Sequence, residues 1–200
     1  MEWINDLKDK FSKRRIRSLD RTKEYGRDFI DIESANLIGL IVNLDDSDAD
    51  DLKLIGQYIQ AIKKRGKQVL VIELSAEKKT EPYFTEGVEN IFIGPAKVNW
   101  LDHPSPQIET TVRKYEMDIL MDFDRSARMA SKYLCSMARA KTRTGIHREG
   151  LESCYELMIN RSAVTTEGEE EEDPKPDMKS MIKEFDYFLN MIDNGSRVKV

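Results

Sequence analysis

Leu37-Ile-Gly-Leu-Ile-Val-Asn43, followed by Leu44 and the acidic turn Asp45-Asp-Ser-Asp48, decides the fold. A near-continuous apolar run of this length, stopped by turn residues, reads as a strand buried on both faces. Ser47 or Asp48 can cap the next element, because a side-chain oxygen there accepts an otherwise unpaired backbone N–H. Leu52, Ile55, Tyr58, Ile59 and Ile62 then keep helical spacing, and Gly66 ends the run as a C-terminal glycine does. Val69-Leu-Val-Ile-Glu-Leu74 is a second apolar strand. Two such strands joined through a helix are parallel, since a parallel pair needs a long crossover.

The same alternation continues along the chain. Strands are expected at Asn90–Ile93, Asp118–Met121, Thr142–Ile146 and Tyr155–Ile159, with helices at Gln107–Tyr115, Ser126–Ala138 and Met178–Ile192. Apolar strands interleaved with helices predict a three-layer, Rossmann-like α/β domain: a mainly parallel sheet with helices on both faces. We place a basic helical arm at residues 1–33 and a single α/β domain at 34–195, with an acidic, Pro-bearing loop at 167–177.

Composition removes several classes of function. The 200 residues are 40% hydrophobic and 34% charged, enough for one sizeable core. The longest apolar stretch, Leu37–Val42, is far short of the roughly 18 residues a membrane span needs. The N-terminus has no apolar core or cleavage site of a secretory signal. Cys135 and Cys154 are too few for a disulfide framework and lie in no CxxC pair; reduced packing thiols in the cytoplasm are expected. A net charge of −5 speaks against a general nucleic-acid coat, and no nucleic-acid motif is present.

With these elements placed, the chain resembles an uncharacterised family of small cytoplasmic proteins from Bacteroidota. The carrying segments are Ala35-Asn-Leu-Ile-Gly-Leu-Ile-Val-Asn43, Lys64-Arg-Gly-Lys-Gln-Val-Leu-Val71 and Lys97-Val-Asn-Trp-Leu-Asp-His-Pro104. To these are added Met117-Asp-Ile-Leu-Met-Asp-Phe123, Ala138-Arg-Ala-Lys-Thr-Arg-Thr-Gly145 and Tyr155-Glu-Leu-Met-Ile159. The resemblance implies the fold and supplies no catalytic residues. Residues 117–145 are also similar to part of the heptosyltransferase-type glycosyltransferases. Those enzymes carry a second, nucleotide-sugar-binding domain for which this chain leaves no residues, so that likeness implies architecture and not chemistry.

Ligands of open α/β sheets sit beyond the carboxyl ends of the strands, where this chain places Asp45, Asp46, Asp48, Asp122 and Asp124. Asp122-Phe-Asp-Arg-Ser126 satisfies a loose D-x-D-x-[ST] pattern similar to that of the haloacid-dehalogenase phosphatases. There the first carboxylate attacks phosphorus, helped by magnesium. Here the pattern falls late in the chain, and acids that end a strand and cap a helix are the preferred reading. Asp45, Asp122 and Asp124 remain the candidate catalytic or metal-binding carboxylates. His103 and His147, the only two histidines, are candidate bases near neutral pH. No G-x-G-x-x-G or G-x-x-x-x-G-K-[ST] cradle exists, and the acids after the first strand would repel a pyrophosphate, so no cofactor is expected.

The arm is the most distinctive segment. Residues 8–27 hold nine Lys or Arg against three acids, so the modest net charge hides a basic segment and a more acidic remainder. Trp3, Leu7 and Phe11 recur at helical spacing, and the expectation is a solvated helical arm partly docked on the domain through Trp3 and Phe11. The alternatives are an arm lying on an anionic membrane, where each basic residue adds about 1 kcal/mol, and an arm touching RNA phosphates. The sequence therefore reads as a cytoplasmic, non-enzymatic binding or interaction module, with a protein partner or anionic surface at the arm. A metal-assisted phosphatase-like or glycosyltransferase-like enzyme using the strand-end aspartates is the competing reading.

Overall fold

The apolar runs become a six-stranded sheet, ordered β3-β2-β1-β4-β5-β6 with every pair parallel. Its strands are β1 (Leu37–Asn43), β2 (Gln68–Leu74), β3 (Glu89–Ile93), β4 (Glu116–Asp122), β5 (Arg139–Ile146) and β6 (Leu157–Ile159). The helices are α1 (Glu2–Ser18), α2 (Ala49–Lys64), α3 (Pro106–Val112), α4 (Met129–Met137) and α5 (Met178–Met191). The computed structural model describes residues 2–19, 28–78, 80–126, 128–159 and 177–192. The expected acidic loop 167–177 lies outside them except for Asp177, whose carboxylate caps α5 by accepting from the Ser180 N–H at 3.0 Å.

Alternate residues of each strand point to opposite faces, so the apolar strands feed two cores. On one face Ile41, Leu70, Ile72 and Leu120 meet α1, α3 and α4. On the other Ile38, Leu40, Val42 and Met121 meet α2 and α5. This is the expected three-layer, Rossmann-like arrangement. Each fully buried Leu or Ile contributes about 1.5–3 kcal/mol of hydrophobic stabilisation. Asp48 caps α2 as expected: its carboxylate accepts from the Asp50 and Asp51 N–H groups, and the Asp51 carboxylate accepts from the Asp48 N–H.

Several boundaries differ from expectation. The helix expected from Ser126 begins at Met129, because the Asp124 carboxylate takes the Ser126 and Arg128 N–H groups and holds those residues in a loop. The last strand begins at Leu157, after a short helical turn at Glu152–Cys154 that leaves Tyr155 free to point inward. Residues 28–35 run along the sheet, with Ile32 and Ala35 fully buried and Thr142 bonded to the backbone of Asp28 and Ile30.

The arm docks with the face opposite to the one expected. Trp3 and Phe11 are 67% and 52% exposed, whereas Ser12 and Ile16 are buried against the α4 side of the body. Ser12 and Ile16 lie across the helix from the aromatic stripe, so only one set can face inward. Polar contacts decide which. The Ser12 hydroxyl donates to the Leu101 carbonyl at 3.3 Å, and the Arg17 guanidinium donates twice to the Gly150 carbonyl at 3.1 and 3.0 Å. No helix among the described residues is long and apolar enough to cross a membrane.

Candidate functional site

The strand order reverses direction between β1 and β4, and the carboxyl ends of these two strands frame the crevice where such folds bind ligands. The residues there are Asn43, ending β1, and Asp122, ending β4. A third group arrives from α4. Lys132, the single charge between Met129 and Ala138, is fully buried. Its ammonium donates to Asp122 Oδ2 at 2.7 Å and to Asp124 Oδ2 at 3.4 Å.

Every oxygen of the two carboxylates is engaged. Asp122 Oδ1 accepts from the Asp124 N–H at 3.0 Å, while Oδ2 accepts from Lys132, from the Tyr155 hydroxyl and from the Cys135 thiol. Asp124 Oδ1 accepts from Asn43 Nδ2 at 3.0 Å and from the Ser126 hydroxyl at 2.6 Å. Its Oδ2 accepts from the Arg128 N–H at 2.6 Å and the Ser131 hydroxyl at 2.7 Å. Buried polar groups satisfied this fully make a rigid network rather than a reactive one.

Gly145 of β5 makes the Tyr155 contact possible. A Cβ there would stand 2.3 Å from the Tyr155 ring, so only glycine lets the ring lie across β5 and carry its hydroxyl to Asp122.

Electrostatics follow from this packing. Burial alone would raise the Asp124 carboxyl, but the Lys132 ammonium and the hydrogen bonds from Ser126, Ser131 and Asn43 hold it well below the usual carboxylate range. Burial likewise disfavours a charged Lys132, yet Asp122 and Asp124 push its pKa above the ordinary lysine value. Burial and the neighbouring Asp122 charge push both the Cys135 thiol and the Tyr155 hydroxyl well up. A thiol held protonated is a poor nucleophile.

A second layer closes the crevice from above. The Arg125 guanidinium reaches Asp51 Oδ2 at 2.5 Å and Asp46 Oδ2 at 3.6 Å, tying the start of α2 to the loop after β4. Arg128 forms a bidentate pair with Asp102 at 3.0–3.2 Å and approaches Asp45 Oδ2 at 3.5 Å. Two of the acids expected to repel a phosphate, Asp45 and Asp46, thus face the chain's own arginines.

Of the expected site residues, Asp122 and Asp124 come together. Asp45 stands on the neighbouring strand end, accepting from the Ser75 hydroxyl at 2.8 Å and the Ala76 N–H at 2.5 Å, and it meets the pair only through Arg128. His103 lies apart, buried beside the arm and stacked on Tyr133 with ring centroids 4.5 Å apart; burial lowers its pKa. His147 ends β5 half-exposed, 4.0 Å from Glu152. No cluster of three or more His, Cys, Asp or Glu able to hold a metal exists among the described residues. The donor set explains this, because the Lys132 ammonium stands between the two carboxylates where a divalent ion would need to be.

Lys132, Tyr155, Arg125 and Arg128 were not singled out from sequence. A lone lysine in an otherwise uncharged helix, shortly after a strand ending in two aspartates, is the signal that marks the first of them.

No curated protein and no solved structure matches the chain. One family does, over residues 8–172, a span that takes in the whole buried network and its arginine cover. The chain belongs to the family of unknown function DUF6913.

Proposed function

We propose that this protein is a non-enzymatic binding or interaction module, its α/β body a scaffold whose ligand crevice is filled by its own side chains. One observation carries the reading: the fully buried Lys132 ammonium neutralises the strand-end carboxylates Asp122 and Asp124, which have no oxygen left for a substrate or metal. The enzymatic alternative, a metal-assisted phosphatase-like or glycosyltransferase-like reaction, needs Lys132 to leave and Asp45 to give up Ser75, Ala76 and Arg128. Both events expose charge that the fold now compensates. Cys135 is a buried thiol, a state that a reducing cytoplasm maintains, and we place the protein there.

The test is a screen of phosphate-ester, carboxyl-ester and activated-sugar substrates with magnesium or manganese supplied. The expected result is no turnover above buffer and no heat of metal binding by calorimetry. Turnover that tracks the protein through purification, and is abolished in Asp122→Asn and Asp45→Asn variants of native circular dichroism, overturns the proposal.

A further inference from the structure

We infer that the outward face of α1 is a docking surface for an anionic lipid bilayer; this deepens the binding-module reading and rests on it. Trp3, Leu7 and Phe11 follow one another at four-residue steps and are all exposed. Lys10 and Arg14 are exposed on the same side of the helix, three residues after Leu7 and Phe11 respectively. The opposite side is fastened by Ser12 and Ile16, and Arg17 ties the end of the helix to the Gly150 carbonyl, so the stripe has a fixed outward orientation.

Charge and ring chemistry identify the occupant. Tryptophan is amphipathic and favours the headgroup level of a bilayer, where its ring leaves water while its N–H stays near polar groups. Lysine and arginine beside it extend to anionic headgroups while their stems cover apolar surface. A second exposed apolar patch sharpens the choice. Tyr187, Phe188 and Met191 of α5 are also exposed, but Lys183 and Glu184 beside them cancel, so that patch carries no net positive charge. On α1, two exposed cations, Lys10 and Arg14, stand beside the exposed aromatics.

The experiment uses the full chain with vesicles of phosphatidylcholine alone and of phosphatidylcholine mixed with phosphatidylglycerol. The expected result is flotation with the mixed vesicles only, weakened by salt, with tryptophan emission shifting to the blue. Trp3→Ser/Phe11→Ser and Lys10→Glu/Arg14→Glu variants of native circular dichroism each partition about tenfold or more weakly. Tyr187→Ser/Met191→Ser binds like the wild type. Failure to float with phosphatidylglycerol overturns the inference, as does equal flotation with neutral vesicles or an emission shift caused by a single-stranded oligonucleotide but not by vesicles. Vesicle binding and substrate turnover are separate readouts, so this inference and the scaffold reading fall separately.

Discussion

Helix α4 hides a lysine, and helix α1 displays two large aromatics. Eight of the nine residues of α4 are buried, Lys132 among them, while α1 turns Trp3 and Phe11 to solvent and keeps a serine inside. Each inverts the usual ranking of residue types. Ser12 is buried because a carbonyl accepts its hydroxyl, and Lys132 because two carboxylates meet its ammonium. Burial in this molecule therefore follows partners as much as hydropathy. The exposed stripe of α1 has no such inward partner among the contacts that fasten the helix.

The comparison breaks most sharply at Lys132. Lys132→Met leaves two buried carboxylates without their cation, and the expected loss is about 3–5 kcal/mol of unfolding free energy, read from urea denaturation. A loss below about 1 kcal/mol would show that the network is solvated and the crevice open. Next in size is acid sensitivity. The Asp124 carboxyl is held low in the fold, so its contribution is complete above the ordinary aspartate pKa of about 3.9 and is lost as pH falls below it. Stability measured by denaturant should fall steeply on acidification through that window, and Asp124→Asn should flatten the slope. The smallest effect belongs to the arm: Trp3→Ser/Phe11→Ser is expected to change unfolding free energy by no more than about 0.5 kcal/mol per site, since neither ring is packed. A larger loss would mean that the stripe packs on the body in solution.

How far the sequence reached depends on distance along the chain. The β1–α2–β2 unit was legible because its signals are local: two apolar runs, a capping aspartate, one glycine stop. Asp122 and Asp124 were legible as strand-end acids for the same reason. Their partners were not. Lys132 is 10 residues from Asp122, and Tyr155 is 33 residues away, reaching it only once β6 has paired with β5 and Gly145 has made room for the ring. The arm shows both cases. Its aromatic stripe is plain in the spacing, but which side of the helix faces inward depends on the carbonyls of Leu101 and Gly150, and no periodicity in residues 1–19 encodes them.

The sealed position of Lys132 also turns one side chain into a clock. Acylating reagents tag amines that water can reach, and in the folded protein this amine is out of contact with both water and reagent. Its adduct can form only in molecules whose sheet and α4 have parted, so the rate at which that single modified peptide accumulates reports the opening of the domain itself. A residue that silences the crevice chemically thereby becomes a tracer of the domain's slowest motion.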